Sequence, residues 1–445
     1  MPPRDRHRLR DERVGAGERL PAAGGRRARA RVRVLAGKAQ GVLRPLRLPA
    51  LRADGGLAGA AAHPPRCAGR RPGAAARGPR ARRLEGRLVR AGPAPPALRR
   101  GGPGGARGAG AGVAVRRTLR LLALVLLAAL VVAAAGLGLA HRGVRGLGAP
   151  LPADLPALEA GPDLAVDVLV VNTASQPVPR AQVLDADRDP APERPYVLGH
   201  PAFVLTWADG RRLLVDAGMD RAAAASFGRP LELLTAAGSV EAHGDVAEQL
   251  GADALGGPLG LVFTHLHVDH TQGVRALCAA RRGAPIALFQ TAAQAARRSY
   301  TTRAGAAHVE EAGCVRRTIL PDAPLAALPG FPGVAVLWAA GHTPGSQVIL
   351  AAVRAEGGAP RRIAFAGDVA NAVDGIRADV PKPFLYRLLV VPEDDARLGE
   401  VRRFLAGLER AGFALAPSHD LVHLRALGLR FAGGAGARPA GAEAF

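Results

Sequence analysis

Between residue 163 and about residue 432, short apolar runs alternate with polar, turn-forming stretches. The runs have the length and the β-branched content of buried strands. They are "LAVDVLVV" (164–171), "LGLVFT" (259–264), "VAVLWAAG" (334–341), "SQVILAAV" (346–353), "RRIAFAGD" (361–368) and "FALAPSHD" (413–420). Asp209 and Gly210, inside the apolar stretch 202–218, predict a hairpin turn.

Two other stretches have helical spacing. In 395–412 the apolar residues Leu398, Val401, Leu405 and Leu408 recur at the helical period, and 273–282 shows the same pattern over a shorter length. Strands interleaved with helices predict an α/β layered domain over residues 163–432. Residues 433–445 are predicted to be a flexible tail.

Ahead of this domain, residues 121–140 contain twenty residues without a charge. At a rise of about 1.5 Å per residue, such a helix matches a hydrocarbon core of about 30 Å. We predict a transmembrane anchor or signal segment over 119–140, followed by a linker over 141–162. A signal peptide would be cut after Ala140, whereas an anchor would stay in the membrane. Either form predicts a bacterial-type protein that is membrane-anchored or exported to the extracytoplasmic (periplasmic) side.

The net charge of +23 is concentrated at the N-terminus. Residues 1–112 hold 27 of the 60 Lys and Arg but only six of the 37 Asp and Glu, which leaves 33 basic and 31 acidic residues in the remainder. The domain itself is therefore near neutral, and nucleic acid is not an expected partner. Rich in Arg, Gly, Ala and Pro, segment 1–112 predicts either a disordered arm or sequence that is not genuinely translated, with initiation near Val113 or Val115.

The cysteines leave a single bridge open, between Cys278 and Cys314, in an oxidising compartment. Neither residue has the spacing of a structural zinc knuckle.

The segment "THLHVDH" follows a predicted strand that ends at Thr264. Because side chains two apart on a strand point the same way, His265 and His267 can share one metal. Asp269 and His270 lie on the turn into the next helix and can face a second metal. Three later candidates, His342, Asp368 and His419, also follow predicted strands. Imidazole and carboxylate groups are ligands that suit zinc.

The segments "HLHVDH", "GHTPGS", "AGD" and "PSHD", in this order, resemble the metallo-β-lactamase superfamily of metal-dependent hydrolases. The resemblance implies an αββα sandwich with two divalent metal ions, zinc in the first place, with iron or manganese as alternatives. It implies that His265, His267 and His342 hold the first metal. It assigns Asp269, His270 and His419 to the second metal, with Asp368 bridging both. Asp216 matches an early aspartate of the family that would orient a ligand.

The implied activity is hydrolysis of a small-molecule substrate by a hydroxide that two metals share, with Asp269 and Asp368 holding or accepting a proton. The lactonase-like branch is the nearest resemblance, through "GHTPGSQ" and "SHD", and implies an ester, lactone or related carbonyl substrate. Asp368 is unlike the resistance β-lactamases, whereas Asn371 stands where the known lactonases have tyrosine. Alternatives are a phosphodiesterase, nuclease or thioesterase of the same superfamily, or a non-catalytic or iron-dependent oxygen-handling relative. The sequence leaves the oligomeric state open.

Overall fold

The computed structural model describes residues 108–154, 158, 161–355 and 358–433. The predicted low-complexity segment 1–112 lies outside these residues except for 108–112, and the predicted tail 433–445 lies outside except for 433.

Thirteen strands and ten α-helices form the described part of the chain. The strands are β1 (Asp167–Val178), β2 (Tyr196–Thr206), β3 (Arg212–Val215), β4 (Glu241–Ala242), β5 (Leu259–Val262), β6 (Ile286–Gln290), β7 (Val315–Ile319), β8 (Ala326–Ala327), β9 (Val334–Trp338), β10 (Gln347–Val353), β11 (Arg361–Gly367), β12 (Phe413–Pro417) and β13 (Arg430–Phe431). The helices are α1 (Gly108–Arg142), α2 (Arg221–Leu234), α3 (Val246–Leu250), α4 (Val268–Thr271), α5 (Val274–Ala280), α6 (Ala292–Ala296), α7 (Arg303–Glu311), α8 (Val373–Arg377), α9 (Asp395–Arg410) and α10 (Leu421–Ala426).

The strands form two sheets. One has the order β13-β1-β2-β3-β5-β6-β7, with β4 paired to β1, and the other has the order β12-β11-β10-β9-β8. The first sheet is antiparallel from β1 to β3 and parallel from β3 to β7. In the second sheet, β9, β11 and β12 run in one direction and β10 runs in the other.

The two sheets pack face to face, and helices cover their outer faces. Alternate residues of one strand therefore enter different cores, as on β2, where Phe203 faces the other sheet and Val204 faces the helical layer. On β11 the same alternation sends Phe365 inward and Ala364 towards α8 and α9. This arrangement is the αββα sandwich that the resemblance implied, and it confirms the predicted α/β layered domain.

Most predicted elements differ from the structure only at their ends. The first predicted strand, 164–171, is wrong in extent, since β1 runs from Asp167 to Val178. Its second half carries Thr173, Ser175 and Gln176, which are buried and pair with β2 and β4. Because these residues are polar although the strand is covered on both faces, a pattern of hydrophobic residues does not predict this half of the strand. Strands β6 and β7 and helices α2 and α7 were not predicted.

The topology brings several strand ends to one edge of the sandwich. Strands β9, β11 and β12 are mutually parallel, so their C-terminal ends lie side by side. The C-terminal end of β5 is joined to this edge, because Gln347 at the start of β10 donates its backbone N–H to Thr264 O at 2.6 Å. Loops at such an edge are where functional side chains collect.

Helix α1 is long and apolar enough between Arg116 and Arg142 to cross a membrane, judged by length and composition alone. It covers the predicted segment 119–140 and continues for two residues into the predicted linker. The chain after it is fixed to the domain, because Gly146 N donates to Asp394 Oδ2 at 2.8 Å and Arg397 donates to Ala149 O at 2.5 Å.

A disulfide joins Cys278 on α5 to Cys314, directly before β7. The bridge that the sequence left open is thus present, on the helix-covered face of the first sheet.

Candidate metal centre

Three histidines converge at the edge of the sandwich. His265 and His267 follow β5, and His342 follows β9. Nε2 of His265 lies 2.9 Å from Nδ1 of His267, and Nε2 of His342 lies 3.3 Å and 3.2 Å from these two atoms. Nitrogens bound to one tetrahedral zinc ion at about 2.0–2.1 Å are about 3.3 Å apart. The spacing therefore fits three ligands of a single ion.

A second group lies beside the first. Nε2 of His270 is 3.6 Å from Oδ2 of Asp269, and Nε2 of His419 is 3.7 Å from the same oxygen. Asp368 stands between the groups. Its Oδ2 is 3.5 Å from Nε2 of His342, while its Oδ1 is 3.5 Å from Nε2 of His270 and 2.9 Å from Nε2 of His419. Each oxygen thus faces one group, as a bridging carboxylate requires.

The outer nitrogen of every histidine in the centre has its own partner. His270 Nδ1 lies 2.8 Å from Asp216, His342 Nδ1 lies 2.5 Å from Glu393, and His419 Nδ1 lies 2.5 Å from the carbonyl of Gly199. The outer nitrogens of His265 and His267 contact the hydroxyls of Thr264 and Thr301. Partners that accept a proton keep the hydrogen on the outer nitrogen, so the inner nitrogen of each neutral ring presents its lone pair to the centre.

Asp216 anchors the loop that carries the first histidines. Its two carboxylate oxygens accept from the backbone N–H of Thr264 at 2.7 Å and from the Thr264 hydroxyl at 2.8 Å, besides contacting His270. Asp216 is fully buried and has a φ of 65°. A non-glycine residue in this left-handed conformation costs about 1 kcal/mol or more. The position predicted to orient a ligand is therefore held at an energetic cost.

A buried ion pair lies behind His342. Lys382 Nζ is 2.7 Å from Glu393 Oε1 and 3.1 Å from His342 Nδ1, and it donates to the carbonyl of Asp368 at 2.7 Å. Both side chains are almost completely inaccessible to solvent. Glu393 follows the π-helical turn Tyr386–Val390 and precedes α9. Lys382 and Glu393 thus tie a first-group histidine to the backbone of the central carboxylate.

Burial decides the protonation of the first group. It lowers the pKa of His265 and of His267 well below the usual value, so both are neutral at pH 7 and able to bind a metal. In the second group, burial alone would lower the pKa of His270, but the carboxylates of Asp216 and Asp269 outweigh it and raise that pKa. Burial would raise the pKa of Asp368, but the nearby His419 and His265 hold it well below its usual range.

The side chains fit bound cations. Inner nitrogen lone pairs 2.9–3.3 Å apart repel one another unless a cation lies between them. In addition, Nε2 of His270 is buried without a hydrogen bond, and Oδ1 of Asp368 makes none of good geometry although it lies 2.9 Å from Nε2 of His419. Buried polar atoms without partners are rare, and an ion satisfies them. The residues that can hold the first ion are His265, His267, His342 and Asp368. Two further clusters share His419 and can hold a second ion, namely His270, Asp368 and His419, and His200, Asp269 and His419.

A cavity of about 1140 Å³ opens directly onto the centre. His267, Asp269, Asp368 and His419 contribute to its floor. Its walls are mainly apolar and come from β1, β2, α2 and segment 383–391. Cavities of this size bind small molecules or the tail of a larger one.

Sequence reasoning missed three side chains of the centre. His200 lies within β2, and its Nδ1 is 3.1 Å from Asp269 Oδ2. Strand β2 runs antiparallel to β3, so His200 reaches the edge from the N-terminal half of a strand. The expectation that ligands follow the C-terminal ends of strands therefore did not predict His200. Lys382 and Glu393 were missed because each is a lone charge in a loop, where solvent exposure is the ordinary expectation.

The sequence pattern of the metallo-beta-lactamase superfamily matches residues 195–411. The region begins within β2 and ends after α9, and it contains every residue of the candidate centre except His419. Residues 195–411 belong to the metallo-β-lactamase superfamily.

Several solved structures of this superfamily's fold resemble the chain. An N-acyl homoserine lactone hydrolase with N-hexanoyl-L-homoserine bound has 16% identity and a TM-score of 0.42, covering 59% of this chain and 96% of that one. AidC, a dizinc quorum-quenching lactonase, has 11% identity and a TM-score of 0.37, covering 58% and 90%. MIM-2 metallo-beta-lactamase has 17% identity and a TM-score of 0.30, covering 53% and 76%. No curated protein sequence matches the chain.

Proposed function

We propose that residues 163–432 form a hydrolase with a dinuclear metal centre. The observation that carries the proposal is the position of Asp368, whose two oxygens face two separate groups of inner histidine nitrogens. His265, His267 and His342 would hold one ion, and Asp269, His270 and His419 the other. Zinc suits this set of nitrogen and oxygen donors, and iron or manganese would also fit.

Two bound divalent ions would lower the pKa of a water molecule and polarise a substrate carbonyl. The protein's own groups set the geometry for this chemistry. Asp216, Glu393 and the carbonyl of Gly199 orient the histidine rings through their outer nitrogens. Asp269 and Asp368 face the cavity, and either carboxylate can take the proton that nucleophilic attack releases.

For the substrate we propose a lactone or ester. The apolar walls suit an uncharged carbonyl compound with an apolar portion. Tyr386 is the one tyrosine among the described residues that line the cavity, and its phenol can donate a hydrogen bond to a substrate oxygen there. A nucleic-acid substrate is not expected, because binding its phosphates requires an excess of basic residues and the net charge of the domain is near neutral.

We also propose that α1 anchors the domain at a membrane, with the metal centre on the extracytoplasmic side. The twenty uncharged residues 121–140 of this helix span about 30 Å, which matches a bilayer's hydrocarbon core. The Cys278–Cys314 disulfide supports an oxidising compartment.

A substrate panel on the metal-loaded full chain tests the function. It comprises lactones, thioesters, phosphodiesters and a chromogenic cephalosporin, with metal content measured on the same sample. We expect about two metal ions per chain and the highest kcat/KM on a lactone or ester. Selective turnover of a phosphodiester or thioester would replace the substrate assignment, and folded, metal-supplemented chain that binds one ion or none would refute the dinuclear centre. A His243→Gln variant is the control, since His243 is bound to Ser175 outside the centre.

A further inference from the structure

Large apolar side chains cluster on the surface around the cavity mouth. We call this set the apolar rim. It consists of Leu233 and Leu234 at the end of α2 and of Phe384, Leu385, Leu389 and Val390 in the loop before α9. Their side chains are between 54% and 83% exposed. Among the described residues outside α1, only Val166, Tyr300, Ile319 and Val422 are other large apolar residues exposed to a comparable degree.

The apolar rim continues directly into the cavity. Leu385, Leu389 and Val390 line the cavity itself, and Leu231, one turn before Leu234, lines it from the opposite side. The floor holds the candidate metal ligands. Apolar side chains of the rim and of α2 therefore line the cavity that holds the candidate centre. Apolar patches of this kind, next to a site, mark a surface that contacts another apolar phase.

Helix α1 reaches the same place. His141, near the end of α1, has its Nε2 3.0 Å from the carbonyl of Leu388. Tyr300, which lines a cavity beside α1, donates its hydroxyl to the carbonyl of Val390 in the same loop. Leu389 lines both the substrate cavity and a second cavity of about 520 Å³. Another wall of the second cavity is formed by α1 from Ala133 to Ala140 and by Gly143, directly after the helix. One leucine thus separates the apolar helix from the substrate cavity.

The positions along α1 that lie next to Leu389 indicate how deep the apolar rim lies relative to the bilayer. Arg142 is the first charged residue after the apolar run of α1. Ala133 lies nine residues before it, about 13 Å along the helix axis. Leu389, which lines the same cavity as Ala133, Leu137 and Ala140, therefore lies at the depth of acyl chains when α1 spans a bilayer.

We propose that the apolar rim inserts into the lipid surface that α1 crosses, and that the cavity takes an amphiphilic substrate from the bilayer. The substrate would be an ester or lactone with a long acyl chain, its carbonyl at the metal centre and its chain along Leu389 and Leu385 towards the lipid. This inference rests on the proposed function and on α1 as the anchor. Burying exposed apolar surface stabilises the docked state by about 25 cal/mol per Å².

Docking is tested by fluorescence on the full chain in phosphatidylcholine vesicles with brominated acyl chains. The sequence has two tryptophans, so a third is introduced as Phe384→Trp and, in a control, as Ile319→Trp. Ile319 is 47% exposed on β7 and lines neither cavity. We expect bromine to quench the additional emission of the Phe384→Trp chain and not that of the Ile319→Trp chain. Equal quenching in the two chains, or none in either, overturns the docking.

Substrate entry is tested with one lactone headgroup carrying either a butanoyl or a dodecanoyl chain. The Leu233→Ser, Leu234→Ser, Phe384→Ser variant removes rim side chains that do not line the cavity. In vesicles we expect kcat/KM for the dodecanoyl lactone to fall about tenfold or more, because the chain must enter from lipid. The rate on the soluble butanoyl lactone should stay within about twofold, as should both rates for a matched Val166→Ser, Val422→Ser control.

The outcomes separate the two proposals. A parent chain inactive on both lactones contradicts the proposed function. A parent chain active on both, with the rim variant losing neither rate, leaves the proposed function standing and overturns substrate entry from lipid. If the rim variant instead changes the oligomeric state and the Phe384→Trp emission is not quenched, the rim binds a second copy of the chain and the lipid assignment is wrong.

Discussion

Nζ of Lys382 lies 2.7 Å from Oε1 of Glu393, and both side chains are buried directly behind His342. A charge so deeply buried is tolerated only when it is paired. Burial would raise the pKa of Glu393, but Lys382 and His342 hold it below its usual value, so the carboxylate is ionised. The pair joins the loop before α9 to the loop after β11, where Asp368 lies.

The variant Glu393→Gln should weaken metal binding at the first group about 10–100-fold, because His342 loses its anionic partner. It should also reduce the free energy of unfolding of the metal-free chain by about 3–5 kcal/mol, since Lys382 is left as an unpaired buried charge. Competition with a chromogenic chelator measures the first effect, and denaturant titration of the metal-free chain measures the second.

The double variant Lys382→Met, Glu393→Gln should recover part of the lost stability without recovering the metal affinity. The exposed pair Arg377 and Glu409 is the control, and its loss should cost about 0–1 kcal/mol. If the double variant is as unstable as Glu393→Gln alone, the unpaired charge of Lys382 is not the cause of the lost stability.

Asp368→Asn should reduce kcat/KM by about 100-fold or more. The Asp368 carboxylate faces both groups, and several kcal/mol of transition-state stabilisation depend on the ions that it would position. Asn371→Ala should have a much smaller effect. The two positions are equally buried, at 7% and 8% exposure, and both line the cavity, so they form a matched pair. Steady-state kinetics with metal content measured alongside would contradict the roles if both variants lost activity equally while retaining two ions.

The layered α/β domain could be predicted because most of its strands carry their signal in local sequence, whereas the sandwich arrangement was implied by the family resemblance. The runs that became β9, β10 and β11 are short and almost wholly apolar, as strands covered on both faces must be. Strand β7 could not be found in this way, since "VRRTI" is a mostly exposed edge strand that turns charged side chains to solvent. The polar half of β1 is hidden for the opposite reason. Its side chains are buried, and the Thr173 hydroxyl and the Gln176 Nε2 group donate hydrogen bonds to backbone carbonyls.

The same distinction applies to the candidate centre. His265, His267, Asp269 and His270 form one compact motif, and the resemblance assigned the more distant residues. His200 has no such motif, because its position depends on how β2 pairs with β3 and so on contacts distant in sequence. Lys382 and Glu393 face each other across eleven residues of irregular chain. No periodicity brings them together.

His200→Gln should lower metal affinity at the second group and leave the first group nearly unchanged. Nδ1 of His200 contacts Asp269, and both lie within reach of His419, whereas no first-group residue lies within this cluster. A titration with Co²⁺ resolves two binding steps by absorbance, and only one of them should shift. His243→Gln serves as the control. A shift of both steps by the same factor would show that His200 acts on the fold instead.

Removing the Cys278–Cys314 disulfide should lower the free energy of unfolding by about 4 kcal/mol, since the bridge closes a loop with a sequence separation of 36. The comparison is made in a Cys67→Ser background, which eliminates the third cysteine of the sequence. Denaturant titration of this chain with and without reductant gives the difference, and Cys278→Ser, Cys314→Ser should match the reduced form. Metal content should stay at two ions per chain in all forms, because the bridge joins α5 to the start of β7 and contacts no ligand. A reduced chain as stable as the oxidised one, with both thiols free on denaturation, would show that the bridge does not stabilise the fold and would remove the support it gives to an oxidising compartment.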